Sequence, residues 1–235
     1  MAFGNGPSIV TNGLVLALDA ADRNSYPGSG TTWTDLSGRN TNSTLINGPT
    51  FSSADGGAIV FDGTNDYSTT VAGQAFFQYT NQITVSWWVR RNGNIVSGAG
   101  GGQCTFNSDS MSTNVWLMHG VDNNTMRFYV NNSGTFTFST TGTLLINTWY
   151  NLVGNADSSA VRMYVNGVLS NSSTGISGTI VNNANSIIGW GIDPRFATGG
   201  RFFNGSIANA AVYNRTLSAS EILQNYNATK TRFGL

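Results

Sequence analysis

The 235-residue sequence predicts an all-β protein, an antiparallel two-sheet sandwich closed by a short C-terminal helix. Three observations point there. Apolar and polar residues alternate over many short segments, the signature of half-buried strands. Turn residues separate those segments at regular spacing, as in sandwiches and barrels. Only one stretch carries a convincing helix signal, and it lies near the end of the chain.

Taken in order, the first clear strand is the apolar run Ala58 to Phe61, which ends in the loop Asp62-Gly63-Thr64-Asn65-Asp66. Ile83, Val85, Trp87 and Val89 share one face of the next strand, while Thr84, Ser86 and Arg90 point the other way and Trp88 offers a candidate exposed ring there. Val115, Leu117 and His119 alternate with Trp116 and Met118. Met126, Phe128 and Val130 alternate with Thr125, Arg127 and Tyr129, and Asp122-Asn123-Asn124 between these two strands suits a tight hairpin. Thr148 to Val153 and Val161 to Val165 continue the pattern. Asn166-Gly167 follows, the pair that a type I′ hairpin turn favours because both central positions need positive φ. Ser186 to Gly189 and Ser206 to Tyr213 supply further strands. Ser218 with Glu221 three residues on is a capping box, and Ile222, Leu223 and Tyr226 give the helix an apolar stripe for packing on the sandwich edge. Residues 1–12 are read as an N-terminal arm and 13–235 as a single domain. The glycine-rich stretch Gly98 to Gly102 is read as a loop within it.

Composition narrows the function classes. Only 9% of residues are charged, the formal net charge is zero, and Gly is abundant at 29 residues. A basic footprint for nucleic acid is absent, as is a polybasic membrane patch. Zero net charge offers little repulsion between copies, which permits self-association. One cysteine, Cys104, allows no intrachain disulfide. The N-terminal sequence has neither a positive n-region nor a long apolar run, and no stretch approaches the roughly 18 apolar residues of a membrane span. The expectation is folding in a reducing cytoplasm and no membrane insertion.

A set of ordered motifs adds a resemblance. Gly13-Leu14-Val15-Leu16-Ala17-Leu18-Asp19 and Trp33-Thr34-Asp35-Leu36-Ser37-Gly38 open it. Gly57 to Tyr67, Ile83 to Val89, Trp149 to Val153 and Tyr164-Val165-Asn166-Gly167 continue it. Phe203-Asn204-Gly205-Ser206-Ile207 and Val212 to Ile222 close it. Together these resemble the laminin-G-like jelly rolls of the concanavalin A-like lectin and glucanase superfamily, over nearly the whole chain from about Leu14 to Tyr226. The resemblance implies two antiparallel sheets packed face to face, one curved to a concave face. Its members bind glycans, bind proteins, hydrolyse polysaccharides or serve as structural padding. Many hold calcium at a sandwich edge, although where relatives commonly have an acidic pair this chain has Ala208-Asn209-Ala210. The opening segment, Asp19 through Asp35 to Asn47-Gly48-Pro49-Thr50-Phe51, also resembles jelly-roll virion proteins of tailed, especially marine, bacteriophages.

A fold does not fix a function, so the candidate site residues carry the decision. Glycoside hydrolysis generally needs two carboxylates flanking the scissile bond. The one glutamate, Glu221, is explained by capping, and no strand read above carries two acidic residues at i and i+2 or i+4. One histidine, His119, and one cysteine cannot supply a zinc site. Calcium is the candidate cofactor, because Asp62, Asn65 and Asp66 gather oxygen ligands within five residues. Asp35, with Gly38 and Asn40, forms a second oxygen-rich turn. For a glycan, Trp190, Asp193 and Arg195 in the long segment Trp190 to Phe196, together with Trp88, combine rings with polar groups. The expectation is a non-enzymatic structural or adhesive virion protein, a capsid decoration or fibre and host-contact module. Its partners would be other virion subunits and its own copies, for instance in a homo-trimer, with a cell-surface glycan as a further candidate. The alternative is a free carbohydrate-binding lectin, with or without calcium, and a glycoside hydrolase ranks below both.

Overall fold

The computed structural model describes residues 7–70, 82–93, 103–108, 115–121, 124–132, 135–176, 188–192 and 201–235, with backbone alone at 107–108, 115–121, 131–132 and 135–136. It is an antiparallel jelly-roll sandwich. The first sheet holds β1 (Leu14–Asp19), β4 (Thr50–Ser52), β5 (Ala58–Asp62), β7 (Ile83–Arg91), β12 (Trp149–Ala156), β13 (Ala160–Val165), β14 (Val168–Thr174) and β16 (Asn204–Tyr213). Its order is β14-β13-β12-β7-β16-β5-β4, with β1 also pairing β16. The second sheet holds β2 (Thr32–Trp33), β3 (Ser43–Ile46), β6 (Tyr67–Thr70), β8 (Cys104–Ser108), β9 (Val115–Val121), β10 (Thr125–Asn132), β11 (Thr135–Thr140) and β15 (Ile188–Trp190). Its order is β11-β10-β9-β8-β15-β6-β3-β2.

The alternating runs lie on strands where the pattern put them. Alternation missed the short strands β2, β3, β4 and β6, of two to four residues, and also β1, β8, β11 and β14, of five to seven. Asn166 and Gly167 both take positive φ, 52° and 80°, as a type I′ turn requires. Asp122-Asn123, residues 186–187 and the glycines 98–102 lie outside the described residues. Of the arm, residues 8–12 are tied along the body: Gln224 Nε2 donates to Ser8 O at 2.7 Å and Tyr213 OH to Val10 O at 3.0 Å.

The main core fills the space between the sheets. Ile83, Val85, Trp87 and Val89 of β7 meet Phe106, Met126, Phe128, Val130 and Trp190 from the second sheet. At Gly154 of β12 a methyl group would sit 2.5 Å from the Phe128 ring of β10. Only glycine lets that ring approach the backbone opposite.

Helix α1 (Ala219–Thr229) starts on the predicted capping box: Ser218 Oγ accepts from Glu221 N, and Glu221 Oε2 accepts from Ser218 N at 2.8 Å. The helix does not sit on the sandwich edge. It lies over the outer face of the first sheet, followed by a 3-10 turn at Lys230–Phe233. Of its predicted stripe, Ile222 is buried and Leu223 is 44% exposed. The turn brings Phe233 onto Trp88 with ring centroids 4.0 Å apart, and Trp149 lies 4.9 Å from Phe233. Arg232 secures the same segment, its Nη1 donating to Asp19 Oδ1 at 2.6 Å and its Nε to Asp55 O at 2.9 Å. Among the described residues no helix is long and apolar enough to cross a membrane.

Candidate functional site: a cavity on the outer face of the first sheet

Register builds this site. In the first sheet Asn151 of β12 stands opposite Trp88 of β7, Trp88 opposite Asn209 of β16, and Asn209 opposite Asp19 of β1. A second row, two residues along, contains Ser86, Ala211 and Ala17. Side chains one pleat apart share a face, so both rows look outward. They floor a half-open cavity of about 250 Å³. Asn225 and Thr229 of α1 form one wall, and Ile9, Thr11 and Leu36 form the rim.

The wall is held by a closed set of hydrogen bonds. Trp88 Nε1 donates to Thr229 Oγ1 at 2.8 Å, and Thr229 Oγ1 donates to Asn225 O at 2.9 Å. Asn225 Nδ2 donates to Tyr213 OH at 3.0 Å, while its Oδ1 accepts from Val10 N at 2.8 Å. Burial pushes the Tyr213 phenol up to about 12, so it stays a neutral hydroxyl. The floor is less complete. Asn151 is 3% exposed, its Nδ2 makes two long contacts of 3.4 Å to Ser86 Oγ and Trp87 O, and its Oδ1 has no partner. The one carboxylate of the floor, Asp19, is neutralised by Arg232.

A second, open cleft of about 400 Å³ lies beyond Tyr213, lined among others by Asn155, Asp157, Arg162, Arg215 and Glu221. It brings together two carboxylates that strand reading did not pair. Each is locked. Arg215 hydrogen-bonds Glu221 at 2.5 Å and, with the Ser218 amide, holds it down to about 2. Burial pushes Asp157 up, but donors from Ser159 and Arg162 and the amides of Ser159 and Ala160 outweigh it and bring it to about 2. Both are ionised and engaged near neutral pH.

The sequence-predicted ligands fare differently. Trp88 is not an exposed platform: it is 1% exposed, because Phe233 and Tyr226 stack on it. It lines the cavity only from beneath that cover. Trp190 is also not a platform. It is fully buried in the main core, 5.0 Å from Phe106 and 6.4 Å from Trp87. Asp193 and Arg195 lie outside the described residues.

The calcium candidates close a turn on themselves. Asp62 Oδ1 accepts from the amides of Thr64, Asn65 and Asp66 at 2.7, 3.2 and 3.4 Å, and these hold its carboxyl low, the Thr64 bond foremost. Asp66 Oδ2 accepts from Asp62 N at 3.1 Å, and burial raises its carboxyl. Asn65 is exposed. Asp35 likewise spends its oxygens on Ala17 N, Ser37 N, Ser37 Oγ and Thr41 N. The turn's own amides thus engage Asp62 Oδ1 and Asp66 Oδ2, oxygens that a calcium ion would also claim. Among the described residues no three His, Cys, Asp or Glu side chains gather. His119 stands in β9 opposite Arg127 and Cys104.

The Laminin_G_3 family, described as Concanavalin A-like lectin/glucanases superfamily, matches residues 62–223. No curated protein sequence matches the chain. Among solved structures, domain 4 of AbnA, a GH43 extracellular arabinanase from Geobacillus stearothermophilus in complex with arabinotriose, superposes with TM-score 0.67 at 21% identity, covering 91% of this chain and 98% of that one. The binding domain of Paraclostridial Mosquitocidal Protein 1 gives TM-score 0.71 at 19% identity, over 92% of this chain and 52% of that one. The botulinum neurotoxin serotype D ligand binding domain, in complex with N-acetylneuraminic acid, gives 0.70 at 14%, over 92% and 51%. The chain therefore spans nearly all of the arabinanase domain and about half of each toxin domain.

Proposed function

The chain belongs to the concanavalin A-like lectin/glucanase superfamily, and from that premise we propose that it is a non-catalytic recognition module that works by contact with carbohydrate. The observation that carries this reading is the state of the acidic groups among the described residues. The sole glutamate, Glu221, is consumed by a helix cap and an arginine. With Asp157 it shares a cleft in which both carboxyls sit at about 2. A glycosidase needs one acid of raised proton affinity beside a base or nucleophile. Asp62 and Asp66 do diverge in proton affinity, but they face each other's backbone in one turn and line neither the cavity nor the cleft. Support for carbohydrate comes from the fold neighbours, an arabinanase domain held with arabinotriose and a toxin domain held with N-acetylneuraminic acid.

The same contact chemistry would serve on a virion, as a capsid decoration or fibre domain, with homo-oligomerisation supplying avidity. That setting is carried by the resemblance of the opening segment and by the zero net charge. The test is a broad glycan array probed with the labelled protein, paired with a reducing-sugar assay on the glycans it selects. Selective binding without release of reducing ends is expected. Release of reducing ends would make the protein an enzyme and overturn the reading.

A further inference from the structure

We propose that the outer-face cavity is a binding site for one neutral sugar ring, entered end-on from the rim formed by Ile9 and Leu36. This rests on the carbohydrate reading and specifies where and what the module binds. Three features select the ligand. The first is size. At about 250 Å³ the cavity falls below the roughly 300–1,000 Å³ of pockets for drug-sized ligands, so it takes a single ring and not an oligosaccharide.

The second is the pattern of polar groups. Asn151 and Asn209 flank Trp88 on neighbouring strands, with Ser86 one step along. Each carboxamide offers donors and an acceptor, which matches hydroxyls that both donate and accept. Asn151 Oδ1 is buried without a protein partner, and a buried acceptor in that state is costly until something donates to it. A ring hydroxyl at that oxygen would supply the missing donor. Walls of Leu14, Ala17 and Ala211 meet the C–H face of the ring. Trp88 contributes little stacking, because Phe233 already covers its face at 4.0 Å.

The third is charge. The single carboxylate on the floor is paired with Arg232 at 2.6 Å, which leaves no cation for an acidic sugar. The rim agrees with a ligand entrance: Ile9 and Leu36 are large apolar side chains left 37% and 41% exposed at its mouth.

The test follows the Trp88 indole N–H and the Asn151 carboxamide by NMR. Methyl glycosides of neutral pentoses and hexoses are titrated, and N-acetylneuraminic acid serves as the acidic probe. The glycan array is run beside it on the wild type, on Ala211→Phe, which fills the cavity, and on Asn209→Leu. Asn209 is half-buried, so the second variant keeps the test alive if the first does not fold. The inference expects a neutral glycoside to shift both signals and the acid to shift neither. Affinity should fall about tenfold or more in each folded variant. Array binding that persists unchanged in a folded variant overturns the cavity and leaves the carbohydrate reading standing. Binding of the acidic sugar alone overturns the neutral assignment. A folded wild type that binds no glycan overturns both.

Discussion

The two faces of the first sheet are both covered, but by different material and to different ends. Inward, β7 sends Ile83, Val85, Trp87 and Val89 into an apolar core against the second sheet. Outward, the same strand presents Thr84, Ser86, Trp88 and Arg90; the C-terminal segment bonds Thr84 and Trp88, Asn151 lies against Ser86, and Asp55 holds Arg90. There the contacts are polar: Thr84 Oγ1 donates to Arg215 O at 2.9 Å, and Arg90 Nη1 donates to Asp55 Oδ2 at 3.2 Å. Buried polar groups are tolerated only when paired, and the returning C-terminal segment supplies most of the partners. Asn151 Oδ1, beside the cavity, is among the buried atoms left without a partner. The inner face thus packs by apolar contact, while the outer face is held largely by polar contacts.

The largest effect that could break this division comes from truncating one ring on each side. Trp87→Ala removes a fully buried core ring and is expected to cost about 3–5 kcal/mol. Phe233→Ala removes a half-buried ring from a terminal cover. It is expected to cost about 1–1.5 kcal/mol, half the transfer free energy of a buried phenylalanine, and to raise hydrogen exchange mainly in α1. Urea unfolding of the two variants, with exchange measured on each, decides it. Equal costs would mean that the cover and the core are one cooperative unit.

The same division explains what could be read from the sequence. The capping box and the Asn166-Gly167 turn were legible because their partners are within a few residues. Alternation placed Trp87 in the core correctly. It misjudged Trp88, because the partners that bury it come from the far end of the chain: Thr229, bonded to its indole, is 141 residues on. Trp190 was misread because its strand is three residues long and leaves no alternation to see. The cavity floor was illegible for a deeper reason. Asn151, Trp88, Asn209 and Asp19 are scattered along the chain, and only the register of four strands aligns them. In the sequence Asn209 stood out only as the absence of an acidic pair.

A smaller effect sharpens the contrast through pH. Glu221 and Asp157 both line the polar cleft and are held at about 2, below ordinary values of 4.5 and 3.8. A depressed carboxyl contributes stability that is present above its unfolded value and lost as pH falls through the folded one. The acid limb is therefore expected between about 4.5 and 2. Glu221→Gln can retain the reciprocal cap, since glutamine serves at that position, and removes the ion pair with Arg215. It is expected to cost about 0.5–1 kcal/mol at pH 7. The difference from wild type should shrink toward pH 2, where the native carboxyl is about half protonated, and vanish below it. A difference that persisted at full size in acid would show that the glutamate acts through shape and not through charge.

The smallest effect is expected at the rim, where the turn from β5 to β6 carries the chain from one sheet to the other. If Asp62, Asn65 and Asp66 held calcium, that ion would stabilise the folded state by linkage, and chelator would lower the melting temperature. The turn instead satisfies itself. Asp62 Oδ1 takes three amides, and Asp66 returns an oxygen to the Asp62 amide. The expected shift on adding chelator is therefore nil within error. Asp62→Ala, which strips the amides of their acceptor, should cost about 1 kcal/mol, the usual net worth of such bonds. Thermal melts with calcium and with chelator, on wild type and variant, separate the two readings. A chelator-sensitive melt that the variant abolishes would restore the metal and make this rim a third functional region. An insensitive melt with a destabilised variant leaves the carboxylates as the clasp between the two sheets.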